Sequence, residues 1–295
     1  MTSKKNIYEL KYYCSKKKYY QNEISFIDLF FSVRYIQFLG TSKYTKFMKE
    51  IPYYTKHIDL NLNPDELKQS FSKRVRAKIN KANKTGVKFQ IYKLDNDKQI
   101  NNYIKYCNEH IKSKKLLYKL TKRDITSFLD NYVVTHALYN NETLVMHGYF
   151  VDYKSKTVYA NESASQFRTL DNSNEVNRDF ISKANNFLHY QDMLYFKEHG
   201  MKIYDFGGYT INSTDKSMLN INRFKDGFRG KIIQQNHYES YVFFTINLLY
   251  QQIKPCIVKM RVNKIKTFWN SLRLLTPLTL HLNNNRLFSV KSSDG

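Results

Sequence analysis

The stretch RDFISKANNFLHYQDMLYFKEHGMKIYDFGG, residues 178–208, reads as one helix followed by one strand. Phe180, Ile181, Ala184, Phe187, Leu188 and Tyr195 recur with the helical period, so one face of the first part is apolar. Lys197 and His199 suit the negative end of the helix dipole, and Gly200 stands where a left-handed residue ends a helix. MKIYDF then reads as a strand and GGYTINSTDKS as a loop. On the N-terminal side, residues 136–139, 143–151 and 157–164 read as three strands, with turns at NNE and DYKSK. A strand, a helix of this length and a second strand make a crossover unit, whose two strands lie parallel in one sheet. The chain is therefore expected to be α/β.

Farther towards the N-terminus, KHIDLNL and VKFQIYKL alternate as strands. Between them, residues 63–86 read as one helix. Asn63 is placed to cap it, Pro64 occupies the first position, and Asp65 and Glu66 fill the first turn. Leu67, Phe71, Val75, Ile79 and Ala82 form its apolar face, and Gly86 can end it. Residues 97–120 and 121–134 read as two further helices. Residues 1–60 mix strand-like and helix-like patterning. No internal repeat and no Pro- or Gly/Ser-rich linker marks a boundary.

The 295 residues suffice for a sizeable core, and 42% hydrophobic with 16% aromatic content argues against disorder. The net charge of +23 suits an anionic partner: a nucleic acid, a nucleotide-linked substrate or an anionic membrane surface. A Lys-, Asn- and Ile-rich composition is the bland source of the same charge. Lys73, Arg74, Arg76, Lys78, Lys81, Lys84 and Lys88 form a run without an acid, read either as a solvated helix face or as an anion-facing one. Cys14, Cys107 and Cys256 are far apart and odd in number, which argues against a disulfide framework or a zinc site and for a reducing, cytoplasmic setting. The N-terminus has no secretory apolar region, and YVFFTINLLY is too short to span a bilayer. The interleaved apolar and basic residues of 241–275 suit a packed helix or peripheral contact with anionic lipid.

Asp205-Phe206-Gly207 spells the magnesium-binding triplet of protein kinases, but the phosphate loop, strand lysine and catalytic loop that must precede it are missing. Walker A, Rossmann and nucleophile-elbow patterns are missing as well.

Three ordered segments carry a specific resemblance. SFSKRVRAKINKANKTGVKF resembles the R-x-x-I-x-K-A-x-K-x-G-V segment of the Fem-type aminoacyltransferases, which build peptidoglycan interpeptide bridges. NNFLHYQDMLYFKEHGMKIYDFGG resembles their helix–strand segment ending in Y-D-F-G-G. INRFKDGFRGKIIQQNHYESYV is similar to their closing F-K-x-x-F-G-G segment, with the glycine pair altered to Arg229-Gly230. The resemblance implies a fold of the GCN5-related N-acetyltransferase (GNAT) type: a mixed sheet flanked by helices, with a shortened N-terminal half. Residues 1–95 would form that half, 96–240 the acyltransferase domain and 241–295 a basic extension. The long coiled-coil arm of the true Fem enzymes and the acetyl-CoA pyrophosphate loop have no counterpart here.

The activity so implied is transfer of an acyl or aminoacyl group from acyl-CoA or aminoacyl-tRNA to an amine, without a metal. Acceptors would be anionic envelope precursors, lipid-linked or nucleotide-linked: an amino sugar of a surface glycan or a peptidoglycan stem peptide. A protein that only binds nucleic acid or membrane is the rival from another class. The chemistry needs a proton acceptor for the amine, donors for the tetrahedral oxyanion and a proton for the leaving group. These groups gather where parallel strands splay, at NESAS and YDFGG. Asp205 is the first candidate to orient the amine, or else it shapes the turn before Gly207 and Gly208, themselves candidate substrate contacts. Glu162 is the second carboxylate, on a strand face with Val158, Ala160 and Ala164. Tyr204 could protonate the leaving group or pack in the core. Lys225, Arg229 and Arg168 are candidate phosphate contacts, Arg74 and Arg76 candidate contacts for an anionic substrate, and each also reads as surface charge. His136, His147, His189 and His199 are assigned no catalytic role.

Overall fold

The computed structural model describes residues 9–12, 15–19, 23–116, 118–166, 177–246, 248–249 and 252. The first strands are β1 (Glu9–Tyr12), β2 (Ser15–Tyr19), β3 (Val33–Phe38) and β4 (Lys49–Asp59). The expected single helix of residues 63–86 is two: α1 (Pro64–Ser70) and α2 (Lys73–Lys84). Asn63 and Glu66 form the capping box of α1. Ser72 then caps a new helix by accepting the Val75 N–H, and the Arg76 guanidinium covers the carbonyl oxygens of Gln69 and Phe71 at the break. β5 (Lys88–Tyr92) follows as the expected strand, and α3 (Asp97–Ser113) begins as expected but ends seven residues before the end of the helix expected over 97–120. The helix expected over 121–134 shrinks to α4 (Lys122–Thr126) and a 3-10 turn, because Tyr132 onwards belongs to a strand.

That strand is β6 (Tyr132–Tyr139), followed by β7 (Glu142–Asp152) and β8 (Thr157–Ser165). The crossover helix α5 (Arg178–Glu198) returns to β9 (Ile203–Gly208), with Gly200 at φ +79° ending it. The glycine pair therefore closes a strand instead of opening a loop. α6 (Lys216–Asp226), capped by Asp215, and β10 (Lys231–Glu239) complete the order.

Among the described residues the ten strands form one sheet, ordered β1-β2-β3-β10-β4-β9-β8-β7-β6-β5. β8 and β9 are parallel, as the crossover requires, and so are β2 and β3; the other neighbours are antiparallel. The sheet is thus mixed and flanked by helices, the α/β class expected. Residue 95 falls between β5 and α3, and strands from both sides of it share this sheet. The larger core, with Phe71, Val75, Val158, Leu188, Tyr204 and Phe228, lies where α2 and α5 cover one face. The smaller, with Tyr103, Cys107, Tyr132 and Met146, lies under α3 on the other.

Gly148 marks a tight spot in the second core. A Cβ there would meet Tyr103 Oη at 2.1 Å and Tyr132 Oη at 2.4 Å, two hydroxyls bonded to each other at 3.1 Å. Gly148→Ala is expected to cost about 1–3 kcal/mol by overpacking, read as a lowered denaturation midpoint with an unchanged slope.

Cys107 is buried; Cys14 and Cys256 lie outside the described residues. So do Arg168 and the basic residues of the C-terminal extension. Among the described residues no helix is long and apolar enough to cross a membrane.

Candidate active site

The parallel pair β8–β9 is bonded from Thr157–Ile203 to Tyr159–Asp205, and no further. Two bulges spread it. In β9, Phe206 and Gly207 together face Lys56 of β4, and Gly207 takes φ +72°, the left-handed geometry of a glycine bulge. In β8, Asn161 is the extra residue opposite β7. This second bulge corrects the expected strand face. Val158 and Ala160 look towards α5, but after Asn161 the alternation is reset, and Glu162 looks with Ala164 towards α3.

A cavity of about 750 Å³ occupies the opening. On the α3 side it is lined by Lys114, Leu116 and Glu162; on the α5–α6 side by Asn185, His189, Phe224 and Lys225; between them lie residues 159–163 and 206–208. The cavity therefore reaches both faces of the sheet.

Among the candidates, Glu162, Gly207, Gly208 and Lys225 meet on this cavity. Burial pushes the Glu162 carboxyl up to about 7; a bond from Tyr118 Oη at 3.3 Å opposes the shift and Asp124 adds to it. Lys225 does not stand out to meet a phosphate. It is buried and donates to the carbonyl oxygens of Gly207 (3.1 Å) and Gly208 (2.5 Å). Burial pulls its ammonium down to about 8, against the attraction of Asp205.

Asp205 and Tyr204 stand behind the wall. Asp205 is wholly buried, and both its oxygens are taken. One accepts from Thr55 Oγ1 and from the Gly207 N–H at 2.7 Å; the other lies 3.2 Å from Gln37 Nε2 and from His57 Nε2. Gln37 holds φ +48° at a bulge of β3, a strained geometry for a non-glycine residue, and its amide also reaches Gln235. Arg74 lines a separate cavity, Arg76 caps carbonyl oxygens, and Arg229, exposed at φ +63°, lies in the turn to β10.

The residue that the sequence reading passed over is His189. It lies on the cavity with Nδ1 2.7 Å from Tyr204 Oη. Tyr204 Oη is 2.7 Å from Tyr149 Oη, which in turn is 2.5 Å from Asp192 Oδ2. The protons of this chain can be placed. A carboxylate only accepts, so Tyr149 donates to Asp192; Tyr204 must then donate to Tyr149, and His189 Nδ1–H to Tyr204. Nε2 is left with its lone pair and has no hydrogen-bond partner among the described residues. Burial, followed by the nearby His147 and Lys225, holds the His189 pKa well below the ordinary histidine value, so the ring is neutral. Burial likewise holds both tyrosine hydroxyls well above their usual range.

His147 braces the same chain through Asp192 Oδ2 (2.7 Å) and Asn185 Oδ1 (2.9 Å). One ligand atom each from His147, His189 and Asp192 lies within 4.8 Å of the others, close enough to gather round a metal ion. The Nδ1 atoms and Asp192 Oδ2 are, however, already engaged in the chain. A signal for His189 exists in the sequence. Asn185, His189 and Asp192 are spaced i, i+4, i+7, a polar stripe on a helix whose other buried residues, Asn186 apart, are apolar or aromatic.

No family model matches the sequence, and no curated protein matches it. Solved structures do. FemX is 16% identical and superposes with a TM-score of 0.51 over 68% of this chain, which spans 63% of the length of FemX. L-PGS from Bacillus licheniformis is 11% identical, with a TM-score of 0.51 over 79% of this chain and 80% of that one. The C-terminal domain of a protein from Agrobacterium fabrum, ascribed to lysylphosphatidylglycerol synthesis, is 10% identical with the same score over 79% of each. By fold, the splayed mixed sheet is thus similar to FemX, to L-PGS and to the Agrobacterium domain, in line with the mixed, helix-flanked sheet expected from the resemblance to the Fem-type aminoacyltransferases.

Proposed function

We propose that this protein is an acyltransferase that moves an acyl or aminoacyl group from an activated ester or thioester to an amine of a cell-envelope precursor. The supporting observation is the His189 imidazole, anchored through Nδ1 to Tyr204, on a cavity that passes between two splayed parallel strands. Two substrates can enter such a cavity from opposite faces and meet within it. His189 Nε2 accepts the proton of the attacking nitrogen as the carbon–nitrogen bond forms. The oxyanion on the former carbonyl carbon is stabilised by the Lys225 ammonium and by backbone N–H groups of the splayed edges. Its collapse breaks the carbon–oxygen or carbon–sulfur bond, and the imidazolium returns the proton to the leaving atom. Glu162, at the other mouth, pairs with an ammonium group of donor or acceptor. Tyr204 and Asp205 act as positioning residues, one fixing the imidazole and the other the glycine bulge.

The reading is tested by offering the purified chain acyl-CoA and charged tRNA as donors, with amine-bearing envelope precursors as acceptors, and reading products by mass. Amide formation from one donor class is expected; its absence from both overturns the proposal. The pH profile of kcat/KM should be bell-shaped. Glu162 must be ionised, so the rate rises through about 7; Lys225 must stay charged, so it falls above about 8. Glu162→Gln should abolish the acid limb, and Lys225→Arg should move the basic limb upwards.

A further inference from the structure

A second cavity, of about 350 Å³, adjoins the first along α6, and Asn220 and Phe224 belong to both walls. Arg74, Lys78 and Arg223 line it, and among the described residues no acidic one does. Arg74 makes no hydrogen bond or ion pair with the described residues. Lys78 is half-buried and donates to Ser182 Oγ at 2.7 Å. Its burial and the charges of Arg74 and Lys183 hold its pKa below the ordinary lysine value, with only partial relief from Asp179. Such crowding of like charge is relieved by a bound anion.

The backbone contributes as well. The cavity floor includes Ser72 and Arg74 at the start of α2, a twelve-residue helix whose first N–H groups lack helical acceptors. The end of α6 reaches this start because Gly227 has no side chain. A Cβ there would come within 2.7 Å of Val75 Cγ2, while the Gly227 carbonyl accepts the Ser72 N–H at 2.8 Å. The helix segments that carry Arg74, Lys78 and Arg223 are thus packed closely against one another.

We propose that this cavity binds the phosphate or diphosphate group of a substrate whose reacting end enters the adjoining cleft past Asn220 and Phe224. The second half of that statement rests on the acyl-transfer reading; the anion site stands without it. Two guanidinium groups suit phosphate oxygens, which they grip in pairs. Among the described residues only Asn220 and Phe224 are common to both linings, so a ligand can hold its phosphate in one cavity and its reacting atom in the other.

The test is calorimetric titration of the full chain with inorganic pyrophosphate. Arg74→Gln/Arg223→Gln is expected to weaken binding at least tenfold with an unchanged melting temperature. Lys84→Gln/Lys88→Gln removes equal charge from exposed positions outside the cavity and should leave binding unchanged. His189→Gln should bind pyrophosphate as the wild type does. Equal weakening by both double variants, or no binding by the wild type, overturns the site. Pyrophosphate binding without any transfer activity would sink the transferase reading alone; transfer without pyrophosphate binding would sink this site alone. Adenosine diphosphate and geranyl diphosphate present the same group on different bodies, and the tighter of the two identifies a nucleotide or a lipid-linked source.

Discussion

His189→Gln is expected to lower kcat for transfer by about 10²–10⁴-fold, the range of a lost proton acceptor, with little change in KM. A glutamine amide can still donate to Tyr204 Oη, so the buried chain stays satisfied. It has no basic nitrogen to offer the substrate. Tyr204→Phe separates positioning from packing. It removes the acceptor that fixes the Nδ1–H tautomer and leaves His189 Nδ1 and Tyr149 each short of a partner. A smaller loss in kcat is expected there, again without a rise in KM. A rate within threefold of wild type for His189→Gln would show that the imidazole takes no proton in the reaction.

Asp205→Ala is expected to destabilise the fold by about 3–5 kcal/mol, because a buried charge that serves several donors is removed. Thr55 Oγ1, the Gly207 N–H, Gln37 Nε2 and His57 Nε2 would lose their shared partner at the point where β3, β4 and β9 are tied together. Lys225, which Asp205 attracts, would lose a compensating charge. Asp205→Asn keeps the shape but turns an amide N–H₂ towards existing donors, so it should cost less. Equilibrium denaturation read by two probes checks both. An Asp205→Asn variant as stable as wild type and inactive would instead put the carboxylate in the chemistry.

The difference between what could and could not be read from the sequence follows contact distance. The crossover β8–α5–β9 was legible because its signals are local: an apolar period, a glycine end and two alternating strands within about fifty residues. The break between α1 and α2 was not, because Phe71 keeps the apolar spacing in phase while Ser72 starts a new helix. Glu162 was placed on the wrong face for a similar reason. One extra residue, Asn161, resets the alternation, and nothing in NESAS announces it.

The two readings left open for Asp205 needed partners that lie 168, 150 and 148 residues away in Gln37, Thr55 and His57. Those partners support the turn-shaping role. His189 was visible as part of a polar stripe, but its chemistry depends on Tyr149 and Tyr204 from two strands. The fold was therefore readable from periods, whereas the site needed the sheet assembled.

The central claim is that the cleft presents a neutral histidine with its Nε2 lone pair exposed. Nitrogen-15 NMR of histidine-labelled protein at neutral pH tests it without knowledge of the substrate. Eight histidines contribute signals, and His189→Gln identifies the one in question by its disappearance. A neutral ring with the proton on Nδ1 and an unprotonated, pyridine-type Nε2 is the predicted result. A proton on Nε2, or a charged imidazolium, would contradict the account.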